Sequence, residues 1–186
     1  MKRNLLAAAL FSASVLAHAA GFQLSSPDIK AGSTIDKKFE FNGFGCSGEN
    51  KSPALQWSGA PAGTKSFAVT VYDPDAPTGA GWWHWSVINI PADTTGLKAD
   101  AGAVGGANLP KGASQVRIDY GVAGWGGMCP PPGDKPHRYV FTVFALKTDK
   151  LEIPADATAS LAGYMMNANS LGKASFTALY GRPKAK

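Results

Sequence analysis

Lys65-Ser66-Phe67-Ala68-Val69-Thr70-Val71-Tyr72 is a run of β-branched and aromatic residues, and Asp73-Pro74-Asp75-Ala76-Pro77-Thr78-Gly79 stops it with two carboxylates and two prolines. Side chains of that kind favour a pleated, half-buried surface. The flanking Pro, Asp and Gly favour turns. Tyr139-Val140-Phe141-Thr142-Val143-Phe144 repeats the composition about seventy positions later. The chain's 22 glycines and 13 prolines fall between short apolar segments instead of in one block. Strands are therefore predicted over Lys38 to Phe41, Ser66 to Asp73, Trp82 to Ile90, Gln115 to Tyr120, His137 to Leu146 and Ala174 to Tyr180. One helix is predicted, with Leu161, Tyr164, Met165, Ala168 and Leu171 at helical spacing as core. Asp156 is its expected cap and Gly172 its expected stop. Many strands beside one C-terminal helix predict a mainly β fold, an antiparallel β-sandwich with a small helical addition.

Outward from this centre the chain shows no repeat, linker or composition break, and 186 residues suit one domain. The N-terminus reads differently. Lys2 and Arg3 precede an apolar stretch from Leu5 to Leu16, and Ala17-His18-Ala19 supplies small residues where a signal peptidase cuts. Residues 1–19 are thus expected to be a signal peptide and 20–186 the domain. That apolar run is too short to span a bilayer, and no cysteine follows to carry a lipid anchor. The expectation is an exported, periplasmic or secreted protein. The formal charge of +5 falls to about +3 without the leader, and the bases are dispersed, which argues against a nucleic-acid partner. The cysteine count of two, Cys46 and Cys129, favours a disulfide in an exported chain.

Chemistry concentrates in three places. Asp73 and Asp75 end a strand, and Pro74 forces Asp73 into an extended conformation. In Gly81-Trp82-Trp83-His84-Trp85-Ser86-Val87-Ile88-Asn89-Ile90, period-two alternation places His84 with Trp82, Ser86 and Ile88, opposite Trp83, Trp85 and Val87. In Pro130-Pro131-Pro132-Gly133-Asp134-Lys135-Pro136-His137-Arg138-Tyr139, His137 and Tyr139 share a side and Arg138 takes the other. Two histidines, a tyrosine and two aspartates suit a metal site, an acid/base site or an anion pocket alike. Gly124-Trp125-Gly126-Gly127 lacks the Lys-Ser/Thr of a P-loop, and no Gly-x-Ser-x-Gly, His-Glu-x-x-His or Cys-x-x-Cys occurs.

Asp73-Pro74-Asp75-Ala76-Pro77, Trp83-His84-Trp85, the Pro-Pro-x-Gly of Pro130-Pro131-Pro132-Gly133 and His137-Arg138-Tyr139 together resemble the phosphatidylethanolamine-binding protein family, in its bacterial Raf-kinase-inhibitor-like branch. The likeness also touches Gly48 to Trp57 and Pro61 to Ser66, and runs from about Phe22 to Tyr180. It implies a Greek-key β-sandwich with one or two short helices near the C-terminus. It further implies a small pocket for phosphate-like anions formed by Asp73, Asp75, His84, His137 and Tyr139, with Pro74 at a cis bond and Pro131 on the rim. No catalytic residue, cofactor or metal goes with that pocket. The expected partner is phosphate, a phosphorylated small molecule or a lipid head group. His84, His137 and Tyr139 would donate to it, and Asp73 would orient a histidine. Protein partners, as for a protease or host-process inhibitor, weak hydrolysis by His137 and Asp73, and a homodimer stay open. Asn167 and Asn169 stand where related proteins can carry histidines, which leaves the ligand open too.

Overall fold

The computed structural model describes residues 21–184, so the expected signal peptide over 1–19 lies outside the described residues. Ten strands follow in chain order: β1 (Gln23–Ser25), β2 (Asn42–Gly43), β3 (Cys46–Ser47), β4 (Leu55–Ser58), β5 (Ser66–Asp73), β6 (Trp82–Pro91), β7 (Gly96–Leu97), β8 (Ser114–Gln115), β9 (His137–Leu146) and β10 (Ser170–Tyr180). Among the described residues the one α-helix, α1, is Ala159–Asn169. Five strands form the main sheet in the order β10-β9-β5-β6-β8, and β1-β4-β7 form a smaller sheet; β2 and β3 pair as a hairpin. The pairings between neighbouring strands are antiparallel. The fold is the mainly β sandwich expected.

The principal core fills the space between the two sheets. Val69, Val71, Trp85, Val87, Phe141 and Val143 meet Leu55, Trp57 and Leu97 from the smaller sheet. Ala68, Ile88, Phe144 and Leu146 bury the opposite face of the main sheet against Ala162 and Met166 of α1. β5 and β9 are covered on both faces, which is why they read as near-continuous apolar runs instead of alternating ones. The outer edge of β10 is also closed. Gly32 N–H donates to Thr177 O at 2.7 Å, and Leu179 N–H to Ser33 O at 2.9 Å. That pairing removes an open strand edge.

Several local expectations are corrected. Lys37–Phe39 is a 3-10 turn capped by Asp36, whose carboxylate accepts from Lys38 N–H at 2.8 Å, so Lys38 to Phe41 is no strand. β8 ends at Gln115, and Asp119 beyond it accepts from Trp83 N–H at 2.7 Å, a side chain taking a partner that a ladder would have used. Thr158, not Asp156, caps α1, accepting from Leu161 N–H at 3.3 Å. Gly172 lies inside β10, and the helix ends at Asn169. The stripe facing the sheet is Ala159, Ala162, Gly163 and Met166, while Tyr164 is 70% exposed and Leu161 40%. Small residues win because the helix lies close to the sheet; a Cβ on Gly163 would already touch the Trp83 ring at 3.4 Å.

Candidate functional site

The site sits at the end of the main sheet where β5, β6 and β9 terminate. Asp73 closes β5, 2% exposed. Its Oδ1 accepts from Asp75 N–H at 2.8 Å, and its Oδ2 accepts from His137 Nδ1–H at 2.8 Å. The first bond makes the turn through Pro74; the second orients the imidazole. No cis peptide bond occurs among the described residues, so the Asp73–Pro74 bond is trans, contrary to the expectation. The Asp73 side chain holds its own turn through the Asp75 amide, so the trans isomer suffices to aim the carboxylate.

His84 reaches the same place through a bulge. Val71 pairs with Trp85 and Tyr72 with Trp83, so His84 is the extra residue. Alternation therefore fails here, and Trp85 and Val87 share the interior face with His84 and Trp82 instead of opposing them. His84 Nδ1 lies 2.7 Å from Gly126 O and 3.1 Å from Gly127 O. Carbonyls only accept, so Nδ1 carries the proton and Nε2 the lone pair. The two glycines are required by close approach. A Cβ on Gly127 would collide with the backbone of Phe39, Glu40 and Phe41, and one on Gly126 with the Tyr120 ring. The Gly124 to Gly127 run thus serves the histidine through its carbonyls, not a phosphate through its amides.

A cavity of about 200 Å³ opens over these groups, lined by Asp73, Trp82, His84, Tyr120, His137 and Tyr139, with Phe44, Ala76, Pro77, Thr78, Cys129, Pro130 and Pro131 around them. Tyr139 is fully buried, and its hydroxyl has no partner; the buried Trp82 Nε1 has none either. Unpaired buried polar atoms are costly, and these two lie in the protein packed around the cavity. Burial, then the nearby Asp73, hold the Tyr139 phenol un-ionised, far above its ordinary range. Burial pushes His84 down, against the upward pull of the Gly126 and Gly127 carbonyls and of Asp73 and Asp119. The Gly126 and Gly127 carbonyls hold the Nδ1 proton, and the lowered pKa favours a ring whose Nε2 accepts.

Of the expected residues, Asp73, His84, Pro131, His137 and Tyr139 line the cavity, whereas Pro74 and Asp75 lie behind it. Asp75 accepts from Arg138 N–H at 2.8 Å, Nε at 3.0 Å and Nη2 at 2.7 Å. This fork ties the turn after β5 to the start of β9. The Arg138 side-chain hydrogen bonds lower the Asp75 pKa to about 2. The paired form is therefore complete above the ordinary carboxylate pKa of 3.8 and is lost as pH falls through about 2. Arg138→Ala should return the Asp75 titration, followed by carbonyl NMR, toward 3.8; an unmoved midpoint would remove Arg138 as the cause.

Tyr120, Trp82 and Phe44 were not singled out as site residues. Tyr120 donates to Gly127 O at 2.9 Å and sets its ring edge-on to His84, 5.7 Å between centroids. Phe44 projects from the β2–β3 hairpin, 78% exposed, at a positive φ of 51°. The expected disulfide is present: Cys46 and Cys129 are joined across 83 positions, fastening that hairpin beside Pro130. Only Trp82 left a trace in the sequence, through its period-two relation to His84.

Asn167 and Asn169 donate to the Gly163 and Met165 carbonyls at 2.8 and 2.9 Å, so both serve the end of α1. Among the described residues no group of three His, Cys, Asp or Glu could hold a metal, and no helix is long and apolar enough to cross a membrane.

Comparison with known proteins agrees with the fold. Residues 25–181 match the family model described as phosphatidylethanolamine-binding protein. The Escherichia coli protein YbcL is 54% identical over 180 residues, 97% of this chain and 98% of its own. YbhB of the same organism is 46% identical over 158 residues, 85% of this chain and 99% of its own. The crystal structure of E. coli YbcL, described as a new member of the mammalian PEBP family, superimposes with a TM-score of 0.85 at 57% identity, covering 87% of this chain and 99% of that one. The chain belongs to the phosphatidylethanolamine-binding protein family.

Proposed function

We propose that this is an exported ligand-binding protein whose cavity holds a phosphate-like group, carried by free phosphate, a phosphorylated small molecule or a lipid head group. Family membership supports a ligand-binding role in general. The observation that carries the finer reading is the grouping of His84, His137, Tyr120 and Tyr139 around one small cavity, with His137 oriented by Asp73. Export is supported by the Cys46–Cys129 bridge, since such bonds persist in oxidising compartments.

Calorimetric titration with phosphate, phosphoethanolamine and a short-chain phospholipid ranks the three sources. His137→Ala should weaken whichever binds by at least about tenfold, because it frees Asp73 from its partner and enlarges the cavity. Saturable binding that survives His137→Ala unchanged, or no binding by the unsubstituted protein, overturns the reading.

A further inference from the structure

With the cavity taken as the phosphate-type site proposed above, the hold on His84 extends one residue further out, to Asn50. A trans peptide unit is planar, so the carbonyl of Gly126 and the N–H of Gly127 belong to one rigid plate and point in opposite directions. Gly126 O accepts from His84 Nδ1–H at 2.7 Å, and Gly127 N–H donates to Asn50 Oδ1 at 2.8 Å. The plate before it is shared in the same way. Gly126 N–H donates to His84 O at 2.9 Å, and Asn50 Nδ2 lies 3.5 Å from Trp125 O. Asn50 and His84 therefore grip two successive peptide units from opposite ends.

The segment is anchored on either side of these units, by Trp125 N–H on Gly102 O at 2.7 Å and by Phe41 N–H on Met128 O at 3.1 Å. Its middle belongs to no strand or helix. Glycine on both sides of the second unit leaves that unit without a Cβ to restrict its rotation. Asn50 is itself well placed to hold it. Its N–H donates to Glu40 O at 3.0 Å, and its φ of 53° is one that asparagine tolerates better than most residues.

A neutral imidazole carries one N–H, and the partner of one nitrogen decides which nitrogen bears it. If the Gly126–Gly127 unit turned over, His84 Nδ1 would meet an N–H in place of the nearer carbonyl. Only Gly127 O at 3.1 Å would remain, and that oxygen already accepts from the Tyr120 hydroxyl at 2.9 Å. We propose that Asn50 is a positioning residue of the site: by clamping the Gly126–Gly127 peptide unit it holds His84 as the Nδ1–H tautomer, the form in which the site binds.

Two variants separate this role from simple stability. Asn50→Gly removes the amide without straining the left-handed backbone, whereas Asn50→Asp keeps an oxygen for Gly127 N–H and gives up the donor to Trp125 O. Imidazole 15N spectra report the tautomers of each histidine without any ligand. In Asn50→Gly the ratio of Nδ1–H to Nε2–H at His84 should fall at least about fivefold, the equivalent of one hydrogen bond, and in Asn50→Asp it should stay within about twofold. His137 is the internal reference, because its Nδ1–H is held separately by Asp73. An unchanged His84 ratio in Asn50→Gly, a parallel change at His137, or a His84 that is Nε2–H in the unsubstituted protein overturns the proposal. Inorganic phosphate, titrated calorimetrically, should bind Asn50→Gly at least about threefold more weakly and Asn50→Asp within about twofold. Equal phosphate affinity despite an altered tautomer overturns the role in binding. No phosphate binding by the unsubstituted protein overturns the site reading alone, since the imidazole spectra need no ligand. If Asn50→Gly does not fold, Asn50→Asp decides, for a ratio lowered well beyond twofold there denies the clamp its acceptor.

Discussion

Reducing the Cys46–Cys129 bridge, or replacing both cysteines by alanine, should lower the stability of the fold by about 4.5 kcal/mol and its Tm by roughly 10–15 °C. The bond joins positions 83 apart, so in the chain-entropy account it withdraws a large loop from the unfolded ensemble. It also acts in the folded state. Cys46 belongs to the hairpin that carries Phe44, and Cys129 lines the cavity next to Pro130 and Pro131. Thermal melts with and without reductant check the size of the effect. Thiol labelling of the native, non-reduced protein should find neither cysteine free. Two labelled thiols, or a Tm that moves by less than about 3 °C, would show that the bridge does not stabilise the fold to this extent.

Asp73→Asn should cost about 1–3 kcal/mol and remove phosphate binding, although it changes the shape of the side chain very little. Asp73 accepts with both oxygens, one facing the Asp75 amide and the other His137 Nδ1–H. An asparagine has one oxygen and must turn an NH₂ toward one of those two donors. Either the turn after β5 loosens or His137 loses its orientation, and the position is too buried for water to repair the loss. Asp75→Asn is the control. Its Arg138 partner is exposed, so stability should change by less than about 1 kcal/mol. Urea denaturation of the two proteins tests the contrast. Equal, small changes for both would deny Asp73 its place as the hinge of the site.

β5 and β9 were legible to the residue, Ser66 to Asp73 and His137 to Leu146, because strands covered on both faces are apolar along their whole length. Asp73, His137 and Tyr139 stand at the ends of those strands, but their grouping into one pocket rests on the family resemblance; the two cysteines are paired from count and compartment alone. What the sequence concealed depends on contacts between distant segments. Nothing near His84 announces the bulge that brings Trp85 onto its side; the cause is its pairing with β5 and the carbonyls of Gly126 and Gly127. Gln115 to Tyr120 has the composition of a strand, yet Asp119 leaves it to meet the Trp83 amide. The α1 stripe departs from the large apolar residues of the sequence because these mark a core only when there is room for them, and the sheet lies too close. Tyr120 and Phe44 sit on irregular segments, where no period exists to betray them.

Arg182 follows β10 and donates to Gly45 O at 2.5 Å and to Pro130 O at 3.2 Å, with Nε 3.8 Å from the buried Glu40. The hairpin, the proline rim and the segment before the hairpin are therefore latched by a residue made 53 positions after Cys129. During synthesis β9 would have a bare flank until β10 emerges, and the cavity mouth would have no latch until residue 182 is free. Completion of the cavity mouth thus waits for nearly the last residues of the chain.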